Sequence, residues 1–164
     1  MLPIELLETS PDQAELLRNL YQFYAYESSD WEQEDVEVDG RFYIHESHLQ
    51  RYWHAPDWSA SLVLVDGFIA GFVLVERSEL PGVDALELAD LFILKKYRRQ
   101  GVARAVAQQF LGRPGDWLLR CHGRDRQAVA FCQALVDTLP RPVRMIELDD
   151  DPELLNFWVS AARH

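Results

Sequence analysis

Five of the chain's 16 basic residues, Lys95, Lys96, Arg98, Arg99 and Arg104, fall within ten consecutive positions, and the first two are its only lysines. Gly101 lies among them and Ala103 and Ala105 follow. The surrounding chain is strongly acidic, with a net charge of −11. A small-residue turn that leaves a strand and opens a helix presents successive backbone N–H groups to an anion. The helix dipole adds to the attraction, and nearby bases neutralise a polyanion. Arg98 to Arg104 has these properties: an apolar run precedes it, a helical pattern follows, and Gly101 and Ala103 let a ligand approach the backbone. Two familiar phosphate loops are excluded, because the chain has neither G-x-x-x-x-G-K-[ST] nor G-x-G-x-x-G.

The elements that must position this turn follow from periodicity and punctuation. Ile4 to Leu7 reads as a first strand. Ser10-Pro11-Asp12-Gln13 has the form of a capping box with Pro at the first helical position. Leu17, Leu20, Tyr21 and Tyr24 then recur at helical spacing, which predicts a helix from Pro11 to Tyr26. Glu27 to Asp39 holds seven acids and no base and reads as a loop or frayed helix, either solvated or lining a site. Glu46 to Trp53 reads as a short helix. Two β-rich runs in SLVLVDGFIAGFVLVE flank Asp66-Gly67, the signal of a type I′ hairpin. Ala85 to Leu94 is expected as a strand, Val102 to Leu111 as a helix, and Trp117 to Cys121 as a strand. Ala128, Phe131, Cys132 and Leu135 mark a further helix, Val143 to Leu148 a strand, and Leu154 to Val159 fits either type. The order implies one α/β (α+β) domain over residues 1–164, with a sheet of mixed strand direction.

Arg98, Gly101 and Ala103 form R-x-x-G-x-A. Together with the preceding strand LADLFIL, this closely resembles the acetyl-CoA pyrophosphate loop of the GNAT superfamily of N-acetyltransferases. The resemblance runs from the VDGFIAGFVLV hairpin through the helix at Ala128 to Leu135. It implies a GNAT fold: a mixed, mostly antiparallel sheet with helices on both faces and strands splayed at the acetyl-CoA site. It further implies that the backbone amides of Arg99, Gln100, Gly101, Val102, Ala103 and Arg104 bind pyrophosphate. Leu91, Phe92 and Ile93 would pair with the pantetheine arm like an added strand. The Ile93 amide would face the acetyl carbonyl oxygen and stabilise the oxyanion.

An ammonium must lose a proton before it can attack. Asp90 is the candidate base. Strict alternation would place it on one strand face with Leu86, Leu88 and Phe92, where burial raises a carboxylate's pKa. Many family members carry a strand carboxylate at that place. Glu87, on the opposite face by alternation, is the reserve. Many GNAT enzymes protonate the departing thiolate with a tyrosine in N-x-x-A-x-x-[FY]-Y. The corresponding residues are Asp125, Ala128, Phe131 and Cys132, so Ala128 and Phe131 match while Asn and Tyr are replaced. Asp125 can still accept a hydrogen bond from a pantetheine amide, and Ala128 flanks the same arm. Cys132, on an apolar helix face, reads as a buried structural thiol, leaving protonation to water or to no group.

Tyr26, Glu27, Asp30 and Trp31 could wall an amine pocket, since aromatic faces and carboxylates both attract cations; a solvated acidic loop is the competing reading. His122, at the end of the splayed strand, could reach the acceptor or simply pack. His45-x-x-His48 lacks further close ligands, so no metal is expected. Hydrophobic content of 48% and the acidic balance point to a soluble protein without nucleic-acid or membrane partners. The charge also favours a cationic substrate, and the resemblance implies a small-molecule or peptide amine as acceptor; a homodimer is allowed. Two cysteines make no disulfide framework, MLPIELLETS is not a signal peptide, and Asp66-Gly67 interrupts the longest apolar run, so a cytoplasmic location is expected. The expected activity is direct acetyl transfer from acetyl-CoA to a primary amine. The rival, motivated by the missing tyrosine, is an acyl-CoA-binding or sensing module with little catalysis.

Overall fold

The computed structural model describes residues 3–161. Among them seven strands form one sheet: β1 (Ile4–Glu8), β2 (Ser59–Val65), β3 (Phe68–Arg77), β4 (Leu86–Ile93), β5 (Trp117–His122), β6 (Val143–Ile146) and β7 (Leu154–Val159). The helices are α1 (Ala14–Glu32), α2 (Glu46–His54), α3 (Val102–Leu111) and α4 (Arg126–Val136). The spatial order is β1-β2-β3-β4-β5-β7-β6. All neighbours pair antiparallel except β4 and β5, which run parallel.

Local chemistry accounts for most boundaries. The Ser10 N–H donates to Gln13 Oε1 at 3.1 Å, and a 3-10 turn over Pro11–Gln13 leads into α1. Asp66 and Gly67 both take left-handed φ, 52° and 81°, as a type I′ hairpin requires. Two open readings are decided. Of loop and frayed helix, residues 27–32 take the helix, because α1 continues to a left-handed cap at Gln33 (φ 56°). The ambiguous tail is β7. It pairs along its whole length with β5 on one side and β6 on the other, which satisfies both of its edges.

Helices cover both faces. On one, α1 and α2 bury Leu17, Leu20, Leu49 and Tyr52 against Leu62, Phe72, Leu74 and Phe92. On the other, α3 and α4 bury Val106, Phe110, Cys132 and Leu135 against Val73, Leu88, Trp117 and Phe157. Each fully buried aliphatic or aromatic side chain contributes about 1.5–3 kcal/mol, so these two layers hold the central strands rigidly. The site lies where that rigid sheet opens. β4 pairs with β5 only from Leu86 to Leu88, against Trp117 to Leu119. Beyond Leu88 the two strands part. Among the described residues no helix is long and apolar enough to cross a membrane.

Candidate active site

The turn before α3 has the backbone form that an anion site needs. A 3-10 turn over Lys95–Tyr97 ends in extended backbone at Arg98. Arg99 (φ 62°) and Gly101 (φ 77°) are left-handed; this costs little at glycine and about 1–2 kcal/mol at an ordinary residue. Gly101 is the N-cap and no side chain caps α3. The first-turn amides of Val102, Ala103 and Arg104 therefore have no partner within the helix. They border a cavity of about 400 Å³ lined by Ile93, Tyr97, Arg98, Arg99, Gly101 to Arg104 and Phe131. Gln100 turns away, its side-chain amide donating to Lys96 O at 3.1 Å.

Arg98 has a different task from its neighbours. Its Nε donates to Ile93 O at 2.7 Å, and its two terminal nitrogens grip Glu27 at 2.9 and 2.6 Å. The guanidinium thus ties the end of β4 to α1. Glu27, expected as an open wall of the amine pocket, spends its charge on this bidentate pair.

The edge of β4 beyond Leu88 is free to take an extended ligand. Leu94 N–H donates to Ala70 O at 2.7 Å. In an antiparallel ladder successive residues point their amides to alternate edges, so those of Leu91 and Ile93 face away from β3, into the gap left by β5. Gly71 permits the close β3–β4 approach behind them, because a Cβ there would lie 1.9 Å from Phe92 O. A second cavity of about 510 Å³ follows this edge. It is lined by Leu91 to Ile93, Arg98, Ala103, Asp125, Ala128 and Phe131, with Tyr24, Glu27, Asp30 and Trp31 of α1.

A β-bulge decides where the acids lie. Val75 faces Leu88 and Leu74 faces Asp90, leaving Ala89 as the extra residue. The bulge reverses the alternation. Leu86 and Leu88 pack towards α3 and α4. Asp90 joins Phe92 on the α1 side, where Phe92, Leu74 and Ala89 pack. Asp90 therefore does not share a face with Leu86 and Leu88, and Glu87, expected opposite, lies on its own face. Both line a third cavity of about 330 Å³ with Glu32, Asp125, Arg120, His122, Tyr24 and Trp31. Burial pushes the Asp90 carboxyl up to about 7, opposed by a hydrogen-bonding contact with the Tyr24 hydroxyl and reinforced by Glu76 and Glu87. Burial likewise pushes Glu87 up to about 7, with Arg120 pulling the other way. Two carboxyl groups are thus poised to exchange protons near neutrality.

The other expected residues divide. Asp30 and Trp31 border the cavity along β4, and Trp31 the acid cavity as well. Tyr26 does not wall either: it is 73% exposed on the outer face of α1. His122 lines the acid cavity with its ring 3.0 Å from Glu153. Asp125 caps α4, its Oδ1 accepting from Ala128 N–H at 3.1 Å, while both residues border the two cavities. Arg124 donates to Trp31 O at 3.0 Å, fastening the end of α1 over the gap. His45 caps α2. Sequence reasoning missed Tyr24, which it used only for its helical spacing, as well as Glu32 and Arg120. The only signal for Tyr24 was a polar atom on a ring otherwise placed to pack.

The three cavities form a series. The first two share Ile93, Arg98, Ala103 and Phe131, and the last two share Tyr24, Trp31, Leu91, Asp125, Ala128 and Phe131. The fold has counterparts among solved structures. An acetyltransferase from Thermus thermophilus superposes with a TM-score of 0.67 at 18% identity, covering 98% of each chain. A diaminobutyrate acetyltransferase from Paenibacillus lautus, solved with L-2,4-diaminobutyric acid and coenzyme A, gives 0.63 at 12% identity, covering 98% of this chain and 96% of its own. The ribosomal-protein-S18-alanine N-acetyltransferase of Escherichia coli gives 0.63 at 12% identity, over 99% and 96%. No curated protein sequence matches the chain. The sequence model of the acetyltransferase (GNAT) family matches residues 15–135, a span that includes the turn, the splayed strands and all but the last residue of α4, and the chain belongs to that family.

Proposed function

We propose that the protein transfers acetyl from acetyl-CoA directly to a primary amine, and that the acceptor is a cationic small molecule or peptide. The observation that carries this reading is the series of three cavities. It runs from the uncapped start of α3, along the open edge of β4, to a cleft lined by Glu32, Glu87, Asp90 and Asp125. The amides of the Arg99–Arg104 turn receive the pyrophosphate, and the Lys95, Lys96 and Arg104 charges offset its own. Pantetheine pairs with Leu91 and Ile93. The Ile93 amide, directed into the gap, donates to the acetyl oxygen as negative charge develops there. The acid-lined cleft attracts an ammonium, and Asp90 takes its proton. Similarity in fold to enzymes whose substrates are a diamino acid and a ribosomal-protein alanine supports both acceptor classes.

Purified protein should release CoA thiol and yield an acetylated product, detected by mass, with at least one member of a panel of diamines, amino acids and peptides. Binding of acetyl-CoA without turnover across the panel would return the acyl-CoA-sensing reading. Asp90 is raised to about 7 and must be ionised to accept a proton, so kcat should climb with pH through that value. Asp90→Asn should lower kcat at neutral pH by about 10²–10⁴-fold, with CoA affinity kept and the deficit shrinking as free amine becomes abundant at higher pH. Parental kcat at neutral pH in this variant would transfer the base role to Glu87 or to a water chain.

A further inference from the structure

Acyl transfer also has a leaving group, and Cys132 cannot serve it. That thiol is 4% exposed, packs in the core under α4, and borders the acid cavity but not the one along β4. A hydrogen bond with Cys121, then burial, pushes its pKa upward. A donor must lie where the acceptor cavity and the pantetheine cavity meet. Six side chains border both: Tyr24, Trp31, Leu91, Asp125, Ala128 and Phe131. Leu91, Ala128 and Phe131 have no proton to give, and the Trp31 indole N–H is not an acid in water. Asp125 is engaged as the cap of α4. Tyr24 remains: it lines the same cavity as Asp90, its hydroxyl interacts with that carboxyl, and its ring is fixed 5.8 Å from Phe92, 6.2 Å from Phe72 and 5.5 Å from Tyr21.

We propose that Tyr24 protonates the departing CoA thiolate and recovers its proton from Asp90, so that the two groups relay a proton from acceptor nitrogen to sulfur. The inference rests on the reading of Asp90 as the base. The ammonium first loses one proton through Asp90 to solvent. The amine nitrogen then bonds to the acetyl carbon, and the carbon–sulfur bond breaks with its electron pair on sulfur. As that bond breaks, the nitrogen sheds its second proton to Asp90, and the phenol proton of Tyr24 passes to the sulfur and gives the CoA thiol. Asp90 then hands its proton to the phenolate oxygen. Both residues end as they began.

The electrostatics suit the sequence of events. The Asp90 charge, then burial, holds the Tyr24 phenol well above its usual range. When Asp90 takes the amine's proton, that charge disappears and the phenol becomes a stronger acid as the thiolate forms. The groups that set the Asp90 titration are Tyr24 and Glu32 from α1, Glu76 from β3 and Glu87 from β4, while the Asp90 charge in turn raises Tyr21 of α1 and Tyr52 of α2. Arg120 and His122 of β5 line the same cavity.

The test is the pH profile of Tyr24→Phe with acetyl-CoA and an amine that the parent acetylates. Phenylalanine keeps the ring packing and removes the hydroxyl. With acid catalysis lost, kcat on the high-pH plateau should fall about 10²-fold, the lower end of the usual range because a thiolate leaves readily. CoA affinity by calorimetry should change less than about threefold, because the hydroxyl acts on the sulfur as the thiolate leaves and not on bound acetyl-CoA. If Tyr24 only positions Asp90, losing its hydrogen bond raises the Asp90 pKa. The profile then shifts to higher pH and the plateau returns to the parental value, which overturns the proposal. So does an unchanged profile. If Tyr24→Phe fails to fold, judged by circular dichroism, 3-fluorotyrosine at position 24 keeps the hydroxyl and the packing but acidifies the phenol. A changed plateau kcat then supports the relay and an unchanged one refutes it. Asp90→Asn is run in parallel. Full activity in that variant condemns the base assignment itself, whereas a defect there with a normal Tyr24→Phe plateau condemns only Tyr24.

Discussion

The helices α3 and α4 lie on one face of the sheet and begin at the same gap, yet their N-termini are built in opposite ways. α4 starts at Asp125, whose carboxylate accepts from Ala128 N–H at 3.1 Å. α3 starts at Gly101, with no side-chain cap, left-handed backbone, and a cavity of about 400 Å³ beside its first turn. Both termini carry the same unsatisfied amides and the same positive dipole end. One is closed by the protein's own anion, and the other is open. On the proposed reading it takes an anion from outside, and the basic residues clustered around Gly101 carry the charge that a capping acid would otherwise cancel.

The most damaging way to erase this contrast is Gly101→Asp, which gives α3 a cap like that of α4. A carboxylate about 4 Å from a phosphate charge costs about 4 kcal/mol at an effective dielectric of about 20. Left-handed strain adds to it. Calorimetry should show CoA binding weakened by at least about a hundredfold, and undiminished affinity would remove the turn from the site.

The reverse change, Asp125→Ala, strips α4 of its cap. Loss of such a cap costs about 1 kcal/mol, or a fall of about 2–4 °C in Tm for a chain of this size. Scanning calorimetry measures it. A shift much larger than that would mean that Asp125 organises the gap as well as the helix.

Cys132→Ala asks whether α4 contributes anything beyond its start. The thiol is buried with Leu135 and Cys121, so truncation should cost about 1 kcal/mol through a small cavity. Turnover per folded molecule should be unchanged. A hundredfold drop in kcat with the fold intact would make the thiol the acid and displace Tyr24.

The smallest effect belongs to Asp125→Asn. Asparagine caps about as well as aspartate, so Tm should hold. Removing one negative charge at the edge of the polyanion's cavity should tighten CoA binding by about threefold, a few tenths to one kcal/mol in a solvated setting. Weaker binding would mean that the carboxylate itself contacts the ligand.

Local signals made the turn legible in the sequence. Gly101, the small residues after it and the basic cluster are adjacent in the chain, and each acts on the backbone of its immediate neighbours. The hairpin at Asp66-Gly67 and the box at Ser10–Gln13 were readable for the same reason, since a turn type or a cap depends on a few consecutive residues. The acid cleft was only half legible. Asp90 stood out as a charge in an apolar strand, but which way it points depends on how β4 registers against β3. The bulge at Ala89 exists because Leu74 and Val75 face Asp90 and Leu88, a pairing that no pattern within β4 encodes. That one extra residue put Asp90 and Glu87 on one face and turned Asp90 towards α1. Tyr24 gained its meaning in the same way. Its spacing in the sequence placed it among packing aromatics, which it is, and the meeting of α1 with the bulged strand brought its hydroxyl to Asp90. Likewise the tail could not be typed from its own residues, because β7 is a strand by virtue of the two partners that satisfy its edges. The sequence alone thus determined the backbone-built half of the site. Tertiary structure decided the side-chain-built half, because side-chain direction at a bulge and proximity between distant elements are properties of pairing and packing, not of neighbouring residues in the chain.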